Sequence, residues 1–113
     1  MEIIRIIKVA KDFSSTLGAR DREDGDFSGE EFYENILDGA FAFCLQNKGI
    51  LEINLDDTYG YPSSFISGSF GRLSKKHGKD VVLRHIRLIS KEEPLLIEEV
   101  EEEIKNPKEK PKK

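Results

Sequence analysis

Apolar residues along the chain follow two patterns, that of a strand and that of an amphipathic helix. The strand pattern occurs three times and predicts three strands. Residues 2–9, EIIRIIKV, are rich in Ile and Val and predict a strand that is buried on at least one face. Residues 50–56, ILEINLD, alternate apolar with polar side chains, which predicts a strand with one wet face or a strand near a sheet edge. Residues 80–90 predict a short helical turn and then a strand at about 86–90.

The segment after Ser28 has the spacing of an amphipathic helix. Ser28 and Glu31 form a capping-box pattern, in which the serine hydroxyl accepts from an amide of the first turn. An alternative stays open, because residues 40–46 also alternate as in a strand and the turn at 47–49 would close a hairpin. The apolar face of the predicted helix consists of Tyr33, Ile36, Leu37, Ala40, Phe41 and Cys44.

Two further helices are predicted in the second half of the chain. One begins at Ser63 or Ser64 and stops at Gly78, with Lys and His side chains in its last turn. The other has Pro94 in its first turn. Their apolar stripes are Ile66, Phe70 and Leu73 in the first, and Leu96, Ile97, Val100 and Ile104 in the second.

The order of these elements predicts the fold class. The elements follow one another as strand, long loop, helix, strand, helix, strand and helix. This alternation favours an α/β fold, with a small and at least partly parallel sheet and helices packed against it. The loop at 10–27 has no sustained period, and loops of this length in small domains are usually functional or mobile.

The charge of the chain is unevenly distributed. The 113 residues hold 22 acidic and 18 basic side chains, a formal net charge of −4. Residues 105–113, KNPKEKPKK, carry +4, which leaves −8 for residues 1–104. An acidic body argues against binding of nucleic acid or anionic lipid through a broad basic face. We therefore predict one domain at 1–104 and a disordered basic tail at 105–113, with neither nucleic acid nor membrane as a partner.

The single cysteine indicates a reducing compartment. One thiol cannot form an internal disulfide, and Cys44 on an apolar helix face is predicted to be buried and inert. No apolar run approaches the ~18 residues of a membrane span, and the N-terminus lacks the pattern of a secretory signal. We predict a soluble cytoplasmic protein. His77 is expected to be a cation at a helix C-terminus and His85 a surface residue.

Two adjacent serines, Ser63 and Ser64, are predicted where a loop turns into a helix. The free backbone N–H groups and the dipole of a helix start favour an anion, so a phosphoryl group on either serine would be stabilised there. The alternative is that one serine only caps the helix. The small residues Ser64, Ser67, Gly68 and Gly71 predict either a docking surface for a partner or tight packing within the domain.

The long loop holds candidate residues for anion binding but not for a metal. Gly18 and Arg20 could present a guanidinium to a phosphate or carboxylate, and the alternative is a solvated or internally paired arginine. The acids at 21–26 do not have the spacing of a calcium loop, so we predict no metal site. No catalytic motif is present, which favours a protein that is not an enzyme and has no cofactor.

Residues 55–73, LDDTYGYPSSFISGSFGRL, resemble a bacterial family of STAS-like domains of unknown function. The resemblance extends to Gly18-Ala19-Arg20 and to residues 28–32, and covers roughly residues 3–104. It implies an α/β STAS-like domain whose mixed sheet has about four strands. The residues that carry it are Asp56, Tyr59, Gly60, Tyr61, Ser63, Ser64, Phe65, Phe70, Gly71 and Leu73.

The family name implies likeness to anti-sigma factor antagonists, in which a partner ATPase of the histidine-kinase type phosphorylates one serine of such a pair. Matching Gly71-Arg72 to their Gly-Arg places that serine at Ser64. Pro62 and Phe65 stand where those antagonists usually have Asp and Gly.

We therefore predict a non-enzymatic regulatory module that binds a protein, with a histidine-kinase-type ATPase as the candidate partner and Ser64, or Ser63, as the phosphorylation site. The alternative function is a nucleotide- or phosphate-binding sensor that uses Arg20 and Gly18. The oligomeric state stays open, a homodimer included. The predicted partner surface consists of Tyr59, Tyr61, Ser63, Ser64, Ser67 and Gly68.

Overall fold

Three strands form one parallel sheet in the computed structural model, which describes residues 1–110. They are β1 (Ile3–Lys8), β2 (Ile50–Asn54) and β3 (Ile86–Ile89), and they lie side by side in chain order with β2 in the centre. The register places Ile53 between Ile7 of β1 and Leu88 of β3. The alternation of β2 is therefore that of a central strand with one wet face, and not that of an edge strand.

The helices connect the strands. Helix α1 is Val9–Asp12, and a 3₁₀ turn follows at Arg22–Asp24. Helix α2 runs without a break through Gly29–Phe32, a π turn at Tyr33–Leu37, and Asp38–Gln46. Helix α3 likewise runs through Ser63–Ile66, a π turn at Ser67–Gly71, and Arg72–His77. Helix α4 is Lys79–His85 and helix α5 is Leu95–Lys105. The two π turns contact each other.

Burial shows which face of the sheet the helices cover. Crossovers between parallel strands are right-handed almost without exception, so strands in the order 1-2-3 receive their helices on one face. Ile7 and Ile53 are buried on that face. Ile6 and Arg87, which share a register row with Glu52 on the other face, are exposed. The fold is therefore two layers, with the core between the sheet and the helices.

Four phenylalanines tie the long loop to helices α2 and α3. The ring centroids of Phe13 and Phe32 lie 5.3 Å apart, those of Phe32 and Phe65 5.8 Å, and those of Phe32 and Phe70 6.3 Å. Phe32, Phe65 and Phe70 are fully buried. We call this set the aromatic cluster; it fixes the start of the loop at 10–27 against both helices.

The predicted start of α2 is confirmed. The Ser28 hydroxyl accepts a hydrogen bond from the Glu31 amide at 3.0 Å, as in the first half of a capping box. The helix continues to Gln46, so residues 40–46 are helical and the hairpin alternative is wrong. On its predicted apolar face, Leu37, Phe41 and Cys44 are fully buried. Burial also raises the pKa of the Cys44 thiol, which keeps it in the neutral, unreactive form.

The predicted mixed sheet of about four strands is wrong in number and in direction. The described residues form three strands, all parallel. Residues 40–46 were the remaining alternating run, and the capped helix α2 includes them. Every strand connection then contains a helix long enough to return the chain to the same edge, which is what parallel pairing requires.

His85 is buried and not on the surface as predicted. Its side chain is 8% exposed, its Nδ1 lies 2.8 Å from the Val81 carbonyl oxygen, and its ring meets the Phe41 ring edge to face. The reason is its place as the last residue of α4, on the same face as Val81 and Val82. His77 does lie at the C-terminal end of α3, 3.1 Å from Asp38 Oδ1.

The predicted tail at 105–113 extends beyond the described residues, since 111–113 lie outside them. Within the described part, Lys105 is the last residue of α5 and residues 107–110 have no regular secondary structure. Disorder of this segment stays a prediction. None of the helices in residues 1–110 is long and apolar enough to span a membrane.

Candidate functional site

The serine pair lies at the first turn of α3, as predicted, but neither serine caps the helix. Ser63 is the first helical residue, and the N-cap position is taken by Pro62, which makes no side-chain capping bond. Ser63 is exposed and Ser64 is half-buried. The capping alternative for the serines is therefore wrong, and their hydroxyls are not committed to the first turn of the helix.

The loop before α2 is held against the start of that helix by its backbone. The Gly29 amide donates to the Ala19 carbonyl at 2.8 Å and the Glu30 amide donates to the Arg20 carbonyl at 2.9 Å. The Gly18 amide donates to the Phe27 carbonyl at 2.9 Å, which closes the loop on itself. Gly18 was a candidate for anion binding, but its amide is already used within the loop.

Two glycines allow this loop and the two helices to come together closely. A Cβ on Gly68 would lie 2.3 Å from the Arg20 carbonyl oxygen, and a Cβ on Gly29 would lie 2.4 Å from the Phe65 carbonyl oxygen. Both distances are far inside van der Waals contact. Of the small residues on α3, Ser67 and Gly68 are buried, so packing within the domain accounts for them. The part of the predicted partner surface that is not buried is reduced to Tyr59 and Ser63, which are exposed, and Tyr61 and Ser64, which are half-buried.

Arg20 is paired internally. Its guanidinium donates to the Ser67 hydroxyl through Nη1 and to the Lys108 carbonyl through Nη2, the second at 3.2 Å. Ser67 lies one turn into α3 from Ser63, so Arg20 stands beside the serine pair. The arginine predicted to meet an anion therefore lies at the expected place, but both of these donors already have protein acceptors.

Asp21 is the buried charge next to Arg20. It is 5% exposed and forms ion pairs with Arg72 of α3 and with Lys110, the latter at 2.9 Å. Burial raises the pKa of the Asp21 carboxyl, but Lys110 and Arg72 outweigh burial, and the net pKa lies below its usual range. The Asp21 amide in turn donates to Asp24 Oδ2 at 3.1 Å. The carboxylate is therefore held ionised beside α3.

These residues line a cavity of about 560 Å³ that is open to solvent. It lies between the start of α3, the loop at 19–24 and the C-terminal segment 108–110. Three basic and three acidic side chains line it, so its formal charge is balanced. The serine pair and the charged groups beside it share this lining, which includes Arg20, Asp21, Ser63, Ser64, Lys108 and Lys110.

The two tyrosines of the DTYGYP loop face different surroundings. The Tyr61 hydroxyl donates to the Leu55 carbonyl at 2.9 Å, and burial raises the pKa of this phenol well above its usual value. Tyr59 is 89% exposed, although its amide is fixed by the Ser15 carbonyl at 2.9 Å. Tyr61 thus anchors the loop, and Tyr59 projects from it into solvent.

Sequence reasoning missed four residues of this region: Asp21 as an ion-pair centre, Glu103, Lys108 and Lys110. Glu103 is 5% exposed and lies three residues after the buried Val100, so helical spacing in α5 was a signal that could have found it. No local signal connects residues 108–110 with residues 20–23. Within residues 1–110, no group of three or more His, Cys, Asp and Glu side chains is placed to hold a metal ion.

Comparison with protein families gives a match over the second and third strands and the helices around them. A family model described as a STAS-like domain of unknown function matches residues 28–96, more than half of the chain. The match begins at the N-cap of α2 and ends in the first turn of α5, so it includes the serine pair and both tyrosines but neither Arg20 nor the segment 108–110. No curated protein and no solved structure matches the chain.

Proposed function

This chain belongs to the family of STAS-like domains of unknown function, and from that premise we propose that it is a non-enzymatic regulatory module that binds a protein partner. The contact surface is the helix-start surface, which we define as Tyr59, Tyr61, Ser63 and Ser64. The observation that supports it most is the exposure of Tyr59, 89%, next to a serine pair that does not cap its helix.

Tyr59 has the character of a binding anchor. Tyrosine is enriched at the energetic centres of protein interfaces, because it buries a large rigid surface at a small entropic cost. The backbone under Tyr59 is already fixed by the Ser15 carbonyl, and Gly60 follows it with a φ of +139°. A partner that covers this ring would gain apolar contact without having to order the loop.

Ser64 is the proposed switch, with Ser63 as the other candidate. A phosphoryl group adds about −1.5 to −2 charges, and at the first turn of α3 it would meet the positive end of the helix dipole. Phosphorylation is therefore stabilised in the free protein. The same dianion on the helix-start surface would oppose a partner surface that is matched to a neutral hydroxyl.

The proposed partner is an ATPase of the histidine-kinase type, which would also be the source of the phosphoryl group. The support for this partner is the likeness of residues 55–73 to anti-sigma factor antagonists, and those residues lie inside the family match. Residues 58–78 contain no acid, so this surface would suit an acidic or neutral partner patch.

Phosphopeptide mass spectrometry combined with affinity pull-down tests the switch. We expect phosphate on Ser64 in the wild type, full partner recovery with Ser64→Ala, and recovery reduced at least about tenfold with Ser64→Asp, because a charge replaces the hydroxyl. Ser63→Ala and Ser63→Asp are the matched controls. Equal recovery from the wild type, Ser64→Ala and Ser64→Asp would show that Ser64 is not the switch. Tyr59→Ala, which leaves both serines intact, tests the surface separately.

A phosphate- or nucleotide-binding sensor is the second candidate. The cavity favours it, because 560 Å³ is within the size range of small-ligand sites and Arg20, Lys108 and Lys110 line it beside the start of α3. Against it, Arg20 and Lys110 already have protein partners.

Titration with ATP and GTP, followed by the melting temperature, distinguishes the two functions. A sensor predicts a saturable rise that Arg20→Ala removes, because only a ligand bound to the folded state raises stability. No rise up to millimolar nucleotide would exclude a nucleotide sensor and would leave the binding module untouched.

A further inference from the structure

We propose that residues 106–110 are an intramolecular strap that docks beside α3 and limits access to Ser64, the half-buried serine of the pair. We call the acceptor the strap groove and define it by Arg20, Asp21, Glu23, Lys75 and Glu103. The docking itself is independent of the proposed function; its regulatory consequence rests on that function.

Charge order in the strap matches charge order in the groove. Lys110 Nζ lies 2.9 Å from Asp21 Oδ2 and 2.7 Å from Glu23 Oε1. Glu109 Oε1, the neighbouring acid, lies 3.5 Å from Lys75 Nζ. A segment held only by apolar contact would need no such alternation of base and acid against acid and base. The alternation therefore indicates a specific docking register.

The strap backbone is also bound. The Lys108 amide donates to Glu103 Oε2 at 2.8 Å, and the Lys108 carbonyl accepts from Arg20 Nη2 at 3.2 Å. Both backbone groups of this one residue are thus satisfied by side chains from opposite walls of the groove. Gly71 makes room for one of those walls, because a Cβ there would lie 2.8 Å from Glu103 Oε2.

The entry to the strap is fixed by the end of α5. The Asn106 amide donates to the Glu102 carbonyl at 2.9 Å, and its side chain donates to Glu102 Oε1 at 2.9 Å. This turn ends the helix at the point from which residues 107–110 continue to the cavity. Lys108, Glu109 and Lys110 consequently form one wall of the cavity that holds the serine pair.

The contacts that hold the strap can be broken easily. Its ion pairs are solvent-exposed on at least one side, with Glu109 88% and Lys110 55% exposed, so each is weak and is screened by salt. A partner that needs the serine pair could displace the strap without unfolding the domain. The closed strap is therefore a barrier that ionic strength or a competing charge can lower.

Thiol labelling at position 64 tests access directly. In a Ser64→Cys background the remaining cysteine, Cys44, is fully buried, so a small thiol reagent reports the new site. We expect Lys110→Glu to raise the labelling rate on the order of 3- to 10-fold at low ionic strength, because it places an acid against Asp21 and Glu23. High salt should raise the wild-type rate toward the same value.

Lys48→Glu is the matched control, since it makes the same charge change at an exposed residue for which the described part of the chain shows no ion pair. Glu109→Lys is the second disruptive variant and reverses the opposite charge, against Lys75. It keeps the test valid if Lys110→Glu lowers the melting temperature enough to affect labelling.

The strap itself is observed by the ¹⁵N heteronuclear NOE of residues 108–110. We expect values close to those of α5 in the wild type and a clear decrease in Lys110→Glu, as the segment becomes free on the picosecond–nanosecond timescale. Low values in the wild type, together with equal labelling rates in all variants, would overturn the proposal. Neither measurement uses a partner or a phosphate, so its failure is distinct from failure of the Ser64 switch.

Discussion

Phe32→Ala is expected to lower the free energy of unfolding by about 3–5 kcal/mol, the usual cost of removing a buried phenylalanine ring. Phe32 is fully buried and is the one member of the aromatic cluster whose ring packs on those of Phe13, Phe65 and Phe70 alike. The loop, α2 and α3 cannot all move into the space that its ring leaves. The loss would be a large part of the ~5–15 kcal/mol that small domains possess.

Urea unfolding measures this loss, and Phe43→Ala is the control. Phe43 is on the same helix but 38% exposed, with the Arg5 guanidinium 3.7 Å above its ring. Its removal should cost no more than ~1 kcal/mol, the scale of an exposed cation–π contact. The denaturant slope should stay unchanged in both variants, which would show that stability and not compactness has changed. Equal losses from the two substitutions would contradict the central position given to Phe32.

Gly68→Ala is expected to destabilise the protein by about 1–3 kcal/mol, because overpacking a close contact forces the backbone apart. The added Cβ would lie 2.3 Å from the Arg20 carbonyl, and the atom it meets is backbone and cannot rotate away. The same carbonyl oxygen also accepts a hydrogen bond from the Glu30 amide. The substitution therefore also disturbs the loop that carries Arg20 and Asp21.

Gly39→Ala makes the same chemical change with the opposite expected sign. Gly39 lies within α2 with nothing within 4 Å of the position of a Cβ, so alanine should stabilise by up to ~1 kcal/mol through helix propensity. Thermal melts of both variants check the pair. If Gly68→Ala were neutral or stabilising, α3 and the loop would not pack as closely as described.

The parts of this fold that the sequence predicts are those fixed by neighbouring residues. Ser28 caps α2 because the residues that it needs, Glu31 and an apolar face, lie within the next few turns. The same is true of β2, where alternation alone predicted that Leu51 and Ile53 are buried. Short-range patterns of this kind hold because they need no knowledge of what packs against the element.

The candidate site was predicted only in part, because it is assembled from distant segments. The helix start at Ser63 could be predicted from neighbouring residues. The arginine of the long loop could likewise be recognised as a candidate for anion binding. The contact of Arg20 with Ser67 spans 47 residues and its contact with Lys108 spans 88. No periodicity indicates such pairs, so the balanced charge of the cavity could not be foreseen.

Errors in side-chain environment have the same origin. His85 is a polar residue and was therefore expected at the surface. Its position on the seven-residue helix α4 instead places its ring against Phe41. The fourth strand was expected from the resemblance to STAS-like domains, but the remaining alternating run of this chain belongs to α2. In both cases the local pattern was compatible with two environments, and tertiary packing determined which one forms.

The π turn at Ser67–Gly71 fixes the rotational phase of the serine pair. A π turn carries one residue more than the α-helical ladder needs, and one residue of an α-helix corresponds to about 100° of rotation. Deleting a single residue from this turn would rotate the start of α3 by about a quarter turn relative to its C-terminal half, which would turn the serines away from the cavity and move Phe65 out of the aromatic cluster. The direction in which Ser63 and Ser64 point is therefore set several residues downstream of them, by a hydrogen-bond pattern in the middle of the helix.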